Sequence, residues 1–278
     1  MPARVELRLQ EAAERLGVHY MTAYRYVRLG LLPARKDGAE WRVRLADLEA
    51  FRGHPKPAGR ARRAPWAERF ESRLLAGDAA SAWSVVESAL AGGADLAEVY
   101  LGVMTPALVC IGERWASGEI DVAAEHRASV IVDGIIGRLA PRFSRRGRTR
   151  GTVVIGAVAG ERHSIPVAFV ADVVRVAGFA VVNLGADVPT ASFAVAASES
   201  DRLVAVGVSS TIGGRDRALT STIRAVRRAV RVPVVVGGAG VADDDHARRL
   251  GADGWAPDAR GAVALLEQLL ARDGDGSH

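Results

Sequence analysis

From residue 152 onward the chain repeats one pattern: an apolar run of strand length, then a segment with helical spacing. The first run is Thr152-Val153-Val154-Ile155-Gly156-Ala157-Val158, and others follow at 180–184, 203–208 and 234–236. A strand buried on both sides has no polar alternation, so continuous apolar strands separated by helices imply a parallel sheet covered on both faces. Residues 151–272 are therefore expected to form a doubly wound α/β domain. Ligands bind such sheets beyond the carboxyl ends of the strands.

The rest of the chain is organised differently. Residues 66–141 place Leu74, Leu75, Trp83, Val86 and Leu90 at helical spacing, punctuated by Gly77-Asp78, Gly92-Gly93 and Gly118, which predicts a four-helix bundle. A basic stretch at 142–150 joins it to the first strand. Residues 54–65, rich in Pro and Arg, read as a basic linker, and residues 1–53 as a small separate domain. The formal charge of +5 is uneven: residues 1–65 hold fourteen Lys or Arg against seven Asp or Glu, which leaves the remainder slightly acidic. That asymmetry suits one domain that meets a polyanion. Cys110 is the one cysteine, so no internal disulfide or thiolate cluster can form. Glu6 and Glu11 depart from a signal-peptide layout, and no uninterrupted apolar stretch of membrane-spanning length is present, so the expectation is a cytoplasmic protein without a membrane partner.

The first motif lies at residues 9–28. Residues 9–18 form a short helical pattern ending near Gly17, and 19–28 form a second one directly after it, which is helix-turn-helix spacing. With residues 29–35 and 40–51, this segment resembles the winged DNA-binding domain of the MerR and excisionase-type proteins. The resemblance implies that Thr22, Tyr24 and Arg25 face the major groove while Arg28, Lys36, Arg42 and Arg44 contact phosphates of a double-stranded operator. Only the former group could specify sequence. The plainer alternative is a small helical domain whose arginines are simply solvated.

The second motif is Glu161-Arg162-His163-Ser164-Ile165-Pro166, just after the first strand. A neutral imidazole there can coordinate a metal, with Glu161 to orient it. Ser209-Ser210-Thr211 and Gly237-Gly238 follow two later strands, so three small or polar loops meet at one sheet edge. Together these resemble the cobalamin-binding domain of methionine synthase and the corrinoid mutases. The resemblance implies that His163 binds cobalt from the lower face, that Ser209, Thr211, Gly237 and Gly238 edge a channel for the nucleotide tail, and that Ser164 and Ile165 flank the cofactor. Glu161 stands where that family has Asp, and Pro166 where it has Gly. Proline adds bulk and removes a backbone donor at that point.

Residues 112–126 resemble the cap bundle of the CarH/LitR group of light-sensing, adenosylcobalamin-dependent repressors. The resemblance implies that Trp115 and Val122 cover the upper face of adenosylcobalamin, with Glu125 and His126 beside them, and that His126 becomes a cobalt ligand after light breaks the cobalt–carbon bond. The expected whole is a multidomain chain with an α winged helix-turn-helix, a four-helix cap and a flavodoxin-like doubly wound sheet. It would act as a non-enzymatic, light-responsive repressor that holds DNA in the dark as a homo-oligomer, dimer or tetramer. Other readings stay open: a cobalamin or other-ligand sensor that ignores light, a corrinoid methyl carrier, or a DNA-binding protein whose sheet domain only mediates assembly. Trp115 could equally be core, and Glu125-His126 a solvated pair at a helix start. Asp243, Asp244 and Asp245 are expected to cap the helix that follows.

Overall fold

The computed structural model describes residues 6–16, 20, 23–24, 27, 32–37, 40–53, 65–143 and 147–275. The chain divides into two compact units, Met1–Ala64 and Pro65–His278.

In the first unit a three-stranded antiparallel sheet runs in the order β1 (Glu6–Arg8), β3 (Glu40–Arg44), β2 (Arg35–Asp37). Helices α1 (Leu9–Leu16) and α2 (Leu45–Gly53) close a small core around Leu7, Leu9, Ala12, Val43 and Leu48. Strand β1 escapes the sequence pattern because it has three residues and one apolar side chain; pairing with β3 makes it a strand. Within 19–28, Tyr20, Ala23, Tyr24 and Val27 are helical, and Ala23 and Val27 are buried.

The second unit begins with four helices: α3 (Trp66–Leu75), α4 (Ala79–Ala91), α5 (Leu96–Ala116) and α6 (Val122–Leu139). Aspartates start three of them. Asp78, Asp95 and Asp121 accept hydrogen bonds from the backbone N–H groups of Ser81, Glu98 and Ala124, which satisfies donors left free by the helix geometry. Helix α5 is π-helical over Val99–Met104. Pro106 offers no N–H to Gly102, and the Thr105 N–H and hydroxyl both bond to the Tyr100 carbonyl instead. By length and composition α5 could cross a membrane, but its apolar residues Val99, Tyr100, Val103, Met104, Ala107 and Ile111 are buried in the bundle.

The remainder is a five-stranded parallel sheet in the order β5 (Ala180–Asn183), β4 (Thr152–Ala157), β6 (Leu203–Ser209), β7 (Val234–Gly237), β8 (Gly254–Ala256). Four of these match the apolar runs. The short Gly-Trp-Ala strand β8 has no run of its own. Helices α7 (Ser164–Val176) and α11 (Ala259–Asp275) cover one face, where Val153, Ile155 and Ala205 meet Val167, Val174 and Leu266. Helices α8 (Thr190–Glu199), α9 (Asp216–Ala229) and α10 (Asp244–Leu250) cover the other, where Val154, Val206 and Val236 meet Phe193, Leu219 and Ala247. The strand order reverses between β4 and β6, which opens a crevice beyond their carboxyl ends.

Bundle and sheet share one core, so they are more tightly joined than the basic stretch between them suggests. Ile165, Phe169 and Val173 of α7 pack into the bundle interior beside Tyr100, Val132 and Leu139. The Tyr100 and Phe169 rings stack at 4.2 Å. The buried Tyr100 hydroxyl donates to Asp172 at 2.8 Å, and Arg175 donates to the same carboxylate at 2.6 Å. Burial, followed by the Asp172 charge, pushes the Tyr100 phenol well above its ordinary range, so it stays a donor. A Tyr100→Phe variant leaves a buried carboxylate one donor short and is expected to lose about 1–3 kcal/mol of stability. Urea unfolding checks this as a lower midpoint at unchanged slope.

Candidate functional site

The site forms in the crevice between β4 and β6. The β4 strand ends at Ala157, and the chain turns through Gly160 into Glu161 and His163 before α7 begins at Ser164. Glu161 is fully buried. One carboxylate oxygen accepts the backbone N–H of His163 at 3.1 Å and its Nδ1 at 2.5 Å. The other accepts the Thr211 N–H at 2.7 Å, the Thr211 hydroxyl at 2.8 Å and the Ile212 N–H at 3.0 Å. Burial pushes this carboxyl upward, but the bonds from His163 and Thr211 outweigh it and hold it down at about 2. Glu161 is therefore an anion at neutral pH.

A carboxylate cannot donate, so Nδ1 of His163 is the donor in this contact, and in the neutral imidazole the lone pair is then on Nε2. The His163 side chain is 55% exposed, which leaves that nitrogen open to a ligand. Two further groups buttress the loop: Asp187 accepts the Gly160 N–H at 2.6 Å, and Arg215 donates to the Gly160 carbonyl at 2.7 Å. Gly160 has φ +83°, and a Cβ there would strike the Arg215 guanidinium. Sequence reasoning did not single out Asp187 or Arg215. Each lies in a loop without a motif, and the sheet topology alone brings it to Gly160.

The other expected residues of this group fall around the same crevice. Ser209 ends β6 and Gly237 ends β7. The Ser210 N–H bonds to the Gly237 carbonyl at 3.0 Å, and the Gly240 N–H bonds back to the Ser210 carbonyl at 2.9 Å. These loops are so close that a Cβ on Gly237 would lie 2.7 Å from the Ala256 carbonyl oxygen; on Gly238 it would strike the Ser210 backbone. Ser164 is exposed, whereas Ile165 is turned into the bundle core. Pro166 is the third residue of α7. The first helical N–H groups have no partner within the helix, so the missing donor costs nothing there.

The cap residues form a second group. Trp115 closes α5, and Val122, Glu125 and His126 open α6, so the short 117–121 connection keeps all four at one end of the bundle. Trp115 is 48% and Val122 49% exposed, which rules out the core reading of Trp115. His126 repeats the arrangement at His163: its Nδ1 donates to Glu125 at 2.6 Å, and Ser129 holds the other Glu125 oxygen at 3.0 Å. Among the described residues no hydrogen bond or ion pair links this group to His163.

In the first unit, Lys36 and Arg44 are exposed on β2 and β3, while Arg42 is half-buried and pairs with Asp37 and Glu40. Tyr24 packs edge-on to Trp41 at 6.4 Å, so its ring belongs partly to the domain's own core. Thr22, Arg25 and Arg28 lie outside the described residues.

Among the described residues no group of three or more His, Cys, Asp or Glu could hold a bare metal ion. A metal at His163 would have to bring its other ligands with it, and one open imidazole nitrogen above glycine-lined loops fits a macrocyclic metal complex. Because Glu161 has a lowered pKa in the folded state, its contribution to stability is complete above the ordinary carboxylate pKa and disappears as pH falls towards about 2. Stability measured from pH 5 downward is expected to fall less steeply in Glu161→Gln than in the unaltered protein.

Comparison with known proteins places these groups. Residues 151–264 match the B12 binding domain, residues 66–140 match a second model also described as B12 binding domain, and residues 6–53 match the helix-turn-helix domain. The trimethylamine corrinoid protein of Methanosarcina barkeri is 30% identical over 196 residues, covering 67% of this chain and 88% of that protein. A corrinoid protein of Desulfitobacterium hafniense is 25% identical over 211 residues, covering 74% and 97%. The structure of the Methanosarcina barkeri monomethylamine corrinoid protein superposes with a TM-score of 0.62 at 19% identity, over 73% of this chain and 97% of that one, and shares the fold. The His163 loop, the cap and the sheet thus have one explanation: the chain belongs to the corrinoid proteins, with a cobalamin-binding cap and sheet joined to a helix-turn-helix domain.

Proposed function

We propose that the chain is a cytoplasmic, non-enzymatic transcription regulator that binds operator DNA through its first unit as a homo-oligomer, and that adenosylcobalamin on the second unit sets its assembly in response to light. The observation that carries the light-responsive form is the exposure of Trp115 and His126 at one end of the cap. A large aromatic surface that the fold leaves in solvent is available to cover a ligand. The adenosyl form of the cofactor supplies a cobalt–carbon bond that light cleaves.

The residues divide the work. Glu161 and Thr211 hold His163 through Nδ1, and its Nε2 would be the nitrogen offered to the cobalt of a bound corrinoid. Ser209, Thr211, Gly237 and Gly238 border the crevice for the nucleotide tail. Trp115 and Val122 would cover the bound cofactor from the cap side and keep water from it, and Glu125, which holds Nδ1 of His126, would leave Nε2 of His126 available as a cobalt ligand. Moving a two-state population from 1:99 to 99:1 requires about 5.5 kcal/mol of differential binding. Linking helix-turn-helix units on neighbouring half-sites amplifies the change by about 10²- to 10⁴-fold in affinity. The names of the corrinoid relatives favour a second reading, a corrinoid carrier, in which the helix-turn-helix domain has no role.

The test is to load the protein with adenosylcobalamin in darkness, remove the excess by gel filtration, and record spectrum, oligomer size and duplex binding before and after green light. The expected result is a retained corrin whose spectrum changes on illumination, with loss of both oligomer and duplex, and loss of the retained corrin in His163→Ala. A retained corrin with no light response points to a sensor that ignores light. A retained corrin with no duplex binding in either state supports the carrier.

A further inference from the structure

Arg148, in the basic stretch leading into β4, approaches the sheet at the edge away from His163, where the fold sets other arginines. Parallel strands start at one edge, so the amino-terminal edge of the sheet is the one opposite His163. Arg148 approaches β4, Arg202 approaches β6 and Arg231 approaches β7, which are three adjacent strands spanning roughly 10 Å of sheet width. Helix α9 runs back towards the same edge and carries Arg224 and Arg228 on one face in its last two turns.

All five are exposed, and none has a carboxylate partner among the described residues. Neighbouring cations are neutralised: Arg150 pairs with Glu267 and Arg227 with Asp253, both at 2.8 Å or less. Asp201 is the exposed acidic residue next to Arg202. Arginine in the last turn of a helix offsets the helix dipole, which accounts for Arg228. That reason does not reach Arg148, Arg202 or Arg231, which precede strands. It is notable that this row forms on a unit whose net charge is slightly acidic.

We propose that this edge is a second contact for the DNA phosphate backbone, used alongside the helix-turn-helix; the inference rests on the DNA-binding reading above. A row of guanidinium groups matches a row of phosphates, since each can donate two parallel hydrogen bonds to one phosphate. Contacts of this kind add affinity without sequence preference, and every phosphate neutralised steepens the salt dependence by about 0.9 in the log–log slope.

The experiment measures binding of the cobalamin-loaded full chain to a mixed-sequence duplex across a salt series. The unaltered protein is compared with Arg224→Gln/Arg228→Gln/Arg231→Gln, with Arg148→Gln/Arg231→Gln, and with Arg44→Gln in the first unit. Retained corrin spectra serve as the folding check. The triple variant is expected to flatten the slope by about 2–3 and the double variant by about 2. Slopes equal to that of the unaltered protein in both edge variants, with a flattened slope in Arg44→Gln, would overturn the edge contact and leave the helix-turn-helix reading intact. An edge that instead serves an acidic protein surface gives that same outcome, with a changed oligomer size. No duplex binding by the unaltered protein would overturn both.

Discussion

The buried Glu161 carboxylate ties the loop after β4 to the loop after β6, and much of the site follows from it. A charge taken out of water is tolerated only when donors replace the lost hydration. Here the donors are the backbone and Nδ1 of His163 and the backbone and hydroxyl of Thr211, with the Ile212 N–H. Satisfying the carboxylate therefore orients the imidazole. The same bonds that join the two loops hold the imidazole through Nδ1 and leave the His163 side chain half exposed.

Helix α7 carries this order into the cap. His163 immediately precedes its first turn, Ile165, Phe169 and Val173 enter the bundle core, and Asp172 receives the Tyr100 hydroxyl. A helix packed on the sheet by one face and on the bundle by another makes the two parts one body. The π-helical turn in α5 brings Tyr100 to that interface. Where α5 ends and α6 begins, Trp115 and His126 are left in solvent, and the fold thus separates a packed junction from an exposed end of the bundle.

Much of the fold was legible from residue pattern. Strand runs at Val153 and Val206, the Asp243 cap that accepts the His246 N–H, and the bundle helices all depend on neighbours in sequence. Strands β1 and β8 were not legible, because three-residue strands exist only through pairing partners that lie far along the chain. The site was half legible. Glu161 and His163 stand two residues apart, whereas Asp187 and Arg215 reach the same loop through hydrogen bonds across 27 and 55 residues.

The sequence alone determined the type of sheet, the helical cap, the helix-turn-helix and the Glu161-His163 loop after the first strand, since each rests on periodicity or on a short motif. Tertiary structure decided the rest. It showed that Pro166 falls in a helical turn where its missing N–H has no partner, and that Trp115 stands in solvent rather than core. It also set arginines from three strand approaches along one edge. Exposure and adjacency depend on which distant segments meet, and no local pattern carries that information.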